Sequence, residues 1–308
     1  MDSALSLHGV WKRYGRFEAV KDLSFEVERG TICGFLGPNG AGKTSTLRMV
    51  LGLSDPSAGS ITILGADDGR KVRDRIGFLP EERGLYRKMT PVDAIAFFAG
   101  LKGVPLGEGR KRARRMLESQ GLGASMNKPM KALSKGMAQK VQLIAAIAHE
   151  PEFVILDEPF SGLDPVNQQG LEQMIRELAE GGATVLFSTH VMQHAERLCK
   201  KVVLLAQGRK VFEGSVSAAR DEAPRALELE GRISAEQAAS LPGVSAVESV
   251  AVDADEAGVF RHRAQLNRSA DAQATLKAAF ERGLDVRAFE LRQPSLHDAF
   301  IVLTGGDR

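Results

Sequence analysis

The chain has 308 residues, 43% of them apolar and 26% charged, with a net charge of only +2. It is long enough for one large domain and a small one, and it lacks the bulk positive charge that would drive binding to nucleic acid or anionic lipid. Its two cysteines, Cys33 and Cys199, form no CxxC pair, which excludes a zinc ribbon or disulfide framework and points to a reducing cytosol.

The opening residues have no basic run followed by an apolar core, so no leader is expected. The longest apolar stretches, such as residues 94–101, fall short of the ~18 needed to span a membrane. Val20, Leu23, Phe25 and Val27 fit a half-buried strand, and residues 31–36 a short buried one in which Cys33 is expected simply to pack. That run leads into Gly37-Pro38-Asn39-Gly40-Ala41-Gly42-Lys43-Thr44, a full match to GxxxxGK[ST], and then into a helix predicted over residues 43–53. Glycines let successive N–H groups curl around phosphate oxygens, and the helix points its positive end at them. Lys43 supplies a point charge to the β and γ phosphates and Thr44 a hydroxyl to Mg²⁺; Ser45 is counted with the nucleotide contacts.

From about residue 82 to 150 the β signal disappears, which reads as a helical insert. Thr90-Pro91-Val92-Asp93 predicts a capping box with proline at the first helical position, opening a helix through Leu101. Residues 108–120 continue the helical pattern up to Gly121. The basic stretch 109–115 within them reads as a solvated helix face, since no aromatic residues interleave as nucleic-acid binding would need. Residues 153–156 form an apolar strand that delivers two adjacent carboxylates. Asp157 suits a Mg²⁺ contact, and Glu158 can take a proton from water attacking a γ phosphate. Residues 184–188 form another buried strand ending in polar residues. The expected fold of this part is α/β with a parallel sheet, whose ligands collect at the carboxyl ends of the strands.

After Arg220 the order becomes strand (226–229), helix (235–241), strand (244–252), strand (259–266), helix (271–282) and strand (286–291). Ser295-Leu296-His297-Asp298 then caps a last helix ending near Thr304. This is the βαββαβ order of a small α+β, ferredoxin-like domain. The stretch 253–258 begins like a calcium loop but lacks the later ligands, so a hairpin turn is expected there. Asn267-Arg268-Ser269 matches a glycosylation sequon, which is expected to carry no meaning where no leader is expected.

Residues 4–218 resemble the ATP-binding cassette of ABC transporters, a P-loop NTPase fold, with further motifs in that family's order. Leu133-Ser134-Lys135-Gly136-Met137 is similar to the signature LSGGQ, which the family closes across a dimer interface onto ATP held by the other subunit. The resemblance makes Ser134 and Gly136 nucleotide contacts, with Ser134 also capping the next helix. Ser161-Gly162-Leu163-Asp164-Pro165 resembles the D-loop, with Asp164 both a contact and a cap. His190 matches the switch histidine that touches the γ phosphate, and Tyr14 the aromatic that stacks on adenine, although Trp11 competes for an exposed aromatic role. Glu81 stands where the family has a metal-side glutamine, Lys135 for the signature's first glycine and Met137 for its glutamine. His190 and His194 share the i, i+4 spacing of some zinc ligands, but no third ligand is evident.

The resemblance implies an ATPase that uses ATP and Mg²⁺, with Glu158, His190 and Lys43 catalytic. One phosphate loop and one signature imply a dimer, homo- or heteromeric, acting on a separate transmembrane permease at the cytoplasmic face of the membrane and not on nucleic acid. The expected division is a cassette over residues 1–220 and an accessory domain over 221–308, whose end resembles that of multidrug and sodium-efflux cassettes and so implies export. A soluble ABC-family ATPase without a permease is the alternative.

Overall fold

The computed structural model describes residues 3–82, 84–250 and 259–305. Arg83, the base two residues after Glu81 and a candidate surface partner for it, and the expected hairpin turn at 253–258 lie outside the described residues. The described chain divides into two compact units, one ending at Val216 and the other starting at Ser217.

In the first unit β1 (Ser3–Tyr14) and β2 (Phe17–Glu28) form an antiparallel hairpin whose last pair is Tyr14 with Phe17. β3 (Ile32–Leu36) runs into α1 (Lys43–Val50), and β4 (Ala58–Ile63) returns to pair with β1. After β5 (Ile76–Leu79) come the helices of the insert: α2 (Pro91–Gly100), α3 (Leu106–Ser119) and α4 (Lys135–Ile147). The chain then alternates through β6 (Phe153–Asp157), α5 (Pro165–Glu180), β7 (Thr184–Thr189), α6 (Met192–Leu198), β8 (Lys201–Ala206) and β9 (Arg209–Ser215), and α7 (Val216–Arg220) begins where the first unit ends and the second starts.

Two sheets result: β2-β1-β4, antiparallel, and β5-β6-β7-β3-β8-β9, parallel except for β9. Every residue of β6 and β7 is buried, as strands covered on both faces must be, which explains their unbroken apolar runs. Leu36 pairs with Thr189 and Asp157 with Ser188, so the segments after β3, β6 and β7 emerge side by side at one edge. That edge positions the site. Cys33 is fully buried in the core, and burial pushes its thiol up to about 12.

Two local expectations need correction. The helix expected over residues 43–53 ends at Val50, because Gly52 turns left-handed (φ 64°) and Leu53 N–H closes back on the Arg48 carbonyl at 2.9 Å. The capping box at Thr90 is half formed. Its hydroxyl accepts the Asp93 N–H at 3.2 Å, but the Asp93 carboxylate takes the Thr90 hydroxyl (2.8 Å) and the Arg110 guanidinium (3.0 Å) in place of the Thr90 backbone N–H.

The second unit contains β10 (Ala226–Arg232), α8 (Ala235–Ala239), β11 (Val244–Val250), β12 (Phe260–Leu266), α9 (Ala272–Glu281), β13 (Asp285–Arg292) and α10 (Leu296–Leu303). Its antiparallel sheet has the order β11-β12-β10-β13, the ferredoxin-like arrangement expected from the βαββαβ pattern. Leu227, Leu229, Ala264 and Leu266 meet Ala238 and Ala279 in its own core. Ser295 and Asp298 form the full capping box of α10.

Candidate functional site

The site is assembled at the carboxyl edge of the parallel sheet, where β7 supplies anchors to both neighbours. The Gly37 N–H donates to the Thr189 carbonyl at 3.4 Å, and the Glu158 N–H to the Ser188 carbonyl at 3.1 Å. Asn39, Gly40, Gly42, Lys43, Thr44, Ser45, Glu81, Glu158 and His190 line one cleft, together with Phe17 and Ala19 of β2. Gly37, Pro38 and Ala41 complete the loop beneath it, Ala41 being buried. Gly42, which precedes α1, has φ 97°, and a Cβ on it would stand 2.5 Å from the Ala19 carbonyl oxygen. The loop therefore sits directly against β2.

Lys43 is only 6% exposed. Its ammonium donates to the carbonyls of Gly37 (2.6 Å) and Pro38 (3.1 Å) and lies 3.9 Å from Glu158 Oε1. Burial pulls its pKa down, while the carboxylates of Glu158, Asp157 and Glu81 hold it up. Glu158 has φ 47°, a left-handed conformation that costs a non-glycine residue roughly 1–3 kcal/mol and persists only where its surroundings enforce it. Here Ser188 accepts its N–H, and its carbonyl accepts the Ser161 N–H at 3.1 Å. A carboxylate can only accept, so His190 Nδ1 donates to Glu158 Oε1, at 2.9 Å. Asp157 is buried and accepts from the Ser188 hydroxyl.

The remaining candidates lie apart from this cleft's lining. Tyr14 is exposed at the hairpin tip with the Lys12 ammonium 5.2 Å from its ring centre, and the aromatic lining the cleft is its cross-strand partner Phe17, 63% exposed. Ser134 caps α4 by accepting the Met137 N–H at 3.3 Å, Gly136 packs on the Asn167 side chain, and Asp164 caps α5 by accepting the Asn167 N–H at 3.0 Å. His194 does not face His190 as a second metal ligand. It is buried, its ring stacked on Phe160 at 4.2 Å, and Arg197 donates to its Nδ1 at 2.9 Å. Burial lowers its pKa, and the acid beside it is Glu172 of α5.

Phe17 and Ser188 escape sequence reasoning. Their only signals were an aromatic at a strand start and a serine near a strand end. Among the described residues no group of three or more His, Cys, Asp or Glu side chains is placed to hold a metal by itself. Mg²⁺ does not need such a cage, because it uses one or two carboxylates together with phosphate oxygens and waters, and Asp157, Glu81 and Thr44 offer oxygens of the right kind at the loop.

A family profile described as ABC transporter matches residues 20–161, and one described as ATP-binding protein DrrA1-3-like, C-terminal domain, matches residues 220–304. The chain is 38% identical over 302 residues to the uncharacterized ABC transporter ATP-binding protein YhaQ of Bacillus subtilis (strain 168), covering 98% of each chain. It is 33% identical over 315 residues to the daunorubicin resistance ATP-binding protein DrrA3 of Streptomyces coeruleorubidus, covering 100% of this chain and 98% of that one. A solved structure titled as the ATP binding subunit of an ABC transporter superposes with a TM-score of 0.65 at 32% identity, over 71% of this chain and 92% of that one. The chain thus belongs to the ABC transporter ATP-binding proteins, and it is an ATP-binding, ATP-hydrolysing subunit of the kind that works with a transmembrane permease.

Proposed function

We infer that the chain energises export, hydrolysing MgATP at the cleft between its phosphate loop and Glu158. The observation that carries the mechanism is the convergence on one carboxylate: Glu158 Oε1 is 2.9 Å from His190 Nδ1 and 3.9 Å from Lys43 Nζ. Glu158 takes a proton from the water that attacks the γ phosphate, and His190 orients Glu158 and reaches that phosphate. Lys43 exchanges its two carbonyl partners for the β and γ oxygens, which accept its charge better than neutral carbonyls do. Asn39, Gly40 and Gly42 offer backbone N–H groups, with Thr44 and Ser45 beside them, while Gly37, Pro38 and Ala41 shape the loop, the Gly37 and Ala41 N–H groups going to the Thr189 and Pro38 carbonyls. Thr44, Asp157 and Glu81 would hold Mg²⁺, which when bound neutralises phosphate charge. Tyr14, with Phe17 across the hairpin, supplies the ring for adenine.

Ser134, Gly136 and Asp164 act on nucleotide held by a second subunit, so the working form is a dimer, homo- or heteromeric, bound to a permease at the cytoplasmic face of the membrane. No described helix is long and apolar enough to cross a membrane. The direction of transport is supported by the drug-resistance relative and by the tail that matches its family.

The cassette is proposed to occupy residues 1–220 and the accessory domain 221–308. Residues 1–220 should then bind MgATP by calorimetry as the full chain does. A folded fragment unable to bind would give the tail a part in the site.

Glu81 tests the metal assignment. A carboxylate fills a glutamine's place at Mg²⁺ but adds negative charge near the triphosphate, which the metal offsets. Glu81→Gln should stay active and bind nucleotide better when Mg²⁺ is chelated, whereas Glu81→Ala should lose turnover more than binding. Superimposable curves of ATPase rate against Mg²⁺ in the three proteins would remove Glu81 from the metal.

A further inference from the structure

Three contacts tie the start of α4 to the segment that follows Glu158. Gln139 is buried, and its side-chain amide donates to the Pro159 carbonyl at 3.0 Å. One turn earlier, a Cβ on Gly136 would come within 2.2 Å of Asn167 Cγ, and Asn167 is itself bound to Asp164 at 2.6 Å. The Lys135 ammonium lies against Gly162, 1.7 Å from where that residue's Cβ would be. Positions 135, 136 and 139 share one side of the helix, so the signature end of α4 lies along the residue 159–167 segment.

Proline has no N–H, so the carbonyl is the only main-chain hydrogen-bonding group of Pro159. Gln139 is its partner. Glu158, the preceding residue, keeps its left-handed turn under three anchors: β7 takes its N–H, Ser161 donates to its carbonyl, and the Pro159 carbonyl just beyond it is held from α4. Releasing the α4 anchor would leave that strained turn with one restraint fewer and its carboxylate less firmly aimed at His190 and the cleft.

We propose that Gln139 is a positioning residue for hydrolysis, fixing the peptide behind Glu158 and thereby coupling the signature helix to the base of its own subunit. The inference rests on Glu158 being the base and on Ser134 closing over a partner's nucleotide. Seating the signature on one nucleotide then orients the base that serves the other.

In the full-length chain, Gln139→Met removes the donor and keeps an unbranched side chain of similar reach. Turnover should fall roughly tenfold, as small misplacements of catalytic groups do, with the calorimetric MgATP affinity unchanged. In the Glu158→Gln background the same substitution should leave the residual rate untouched, because a residue acting through Glu158 has nothing left to position. Full turnover in Gln139→Met, or an undiminished loss in the double variant, would overturn the coupling. Normal turnover in Glu158→Gln alone would instead overturn the base assignment.

Gln139→Glu covers the case in which the methionine variant does not fold. A buried carboxyl facing a carbonyl is protonated more readily than usual, and only its protonated form can donate to Pro159. Its rate relative to the parent should therefore rise as pH is lowered; a ratio independent of pH would count against the donor role.

Discussion

Glu158→Gln should hydrolyse ATP roughly 10²–10⁴-fold more slowly than the parent chain while binding it as tightly, the range expected when a general base is removed. Glutamine has the same shape, and its amide oxygen can still accept the His190 Nδ1 proton that Glu158 Oε1 accepts at 2.9 Å. The turn at residue 158 and its anchors to Ser188 are backbone features and should survive. What disappears is the group that receives the water's proton. Bound ATP then persists, and because the signature residues are proposed to close over a partner's nucleotide, the variant should run as an ATP-dependent dimer on size exclusion. Near-normal turnover would take the base role away from Glu158, and a variant that stays monomeric with ATP bound would count against the trans arrangement.

Gly42→Ala should weaken MgATP binding by roughly 100-fold, from backbone strain and a collision acting together. At φ 97° any side chain is strained, and the new Cβ would meet the Ala19 carbonyl at 2.5 Å and Val20 Cγ2 at 3.2 Å. Neither can retreat easily, since both belong to β2. The loop and the first turn of α1 must shift instead, carrying the N–H groups meant for phosphate. Gly40→Ala is the control. Its φ is also positive, 81°, but nothing lies within 4 Å of a Cβ there, so only the strain remains and the loss should be about tenfold at most. Equal losses in calorimetry would mean that contact with β2 does not matter.

The parts of the fold legible from the sequence were those written in short-range chemistry. The buried strands β3, β6 and β7 announce themselves as unbroken apolar runs because both faces are covered. The phosphate loop is legible because only glycines allow its backbone path, and the small domain because each strand and helix carries its own period. What stayed hidden depends on partners far along the chain. His194 invited pairing with His190 by spacing, yet its neighbours Glu172 and Phe160 come from other segments that the sheet brings near. The hairpin at Tyr14 supplied two aromatics, and only the strand pairing turns Phe17 toward the loop. Ser188 is one more polar residue in its strand until the register sets it beside Asp157. α1 stops short of its helical pattern for a local reason, a glycine whose left-handed turn outweighs the residues beyond it.

The left-handed turn at residue 158 sets the durability of this protein against its activity. Glycine would adopt φ 47° without strain, so the residue that best suits the backbone there is not the one that carries a carboxylate. A lineage selected only for thermal endurance would drift away from glutamate at this position, and one selected for turnover must hold it and recover the lost stability elsewhere. The anchors from β7 and α4 are where that recovery is visible. They are also where a stabilised variant should be engineered with most restraint, because tightening them changes the chemistry as well as the fold.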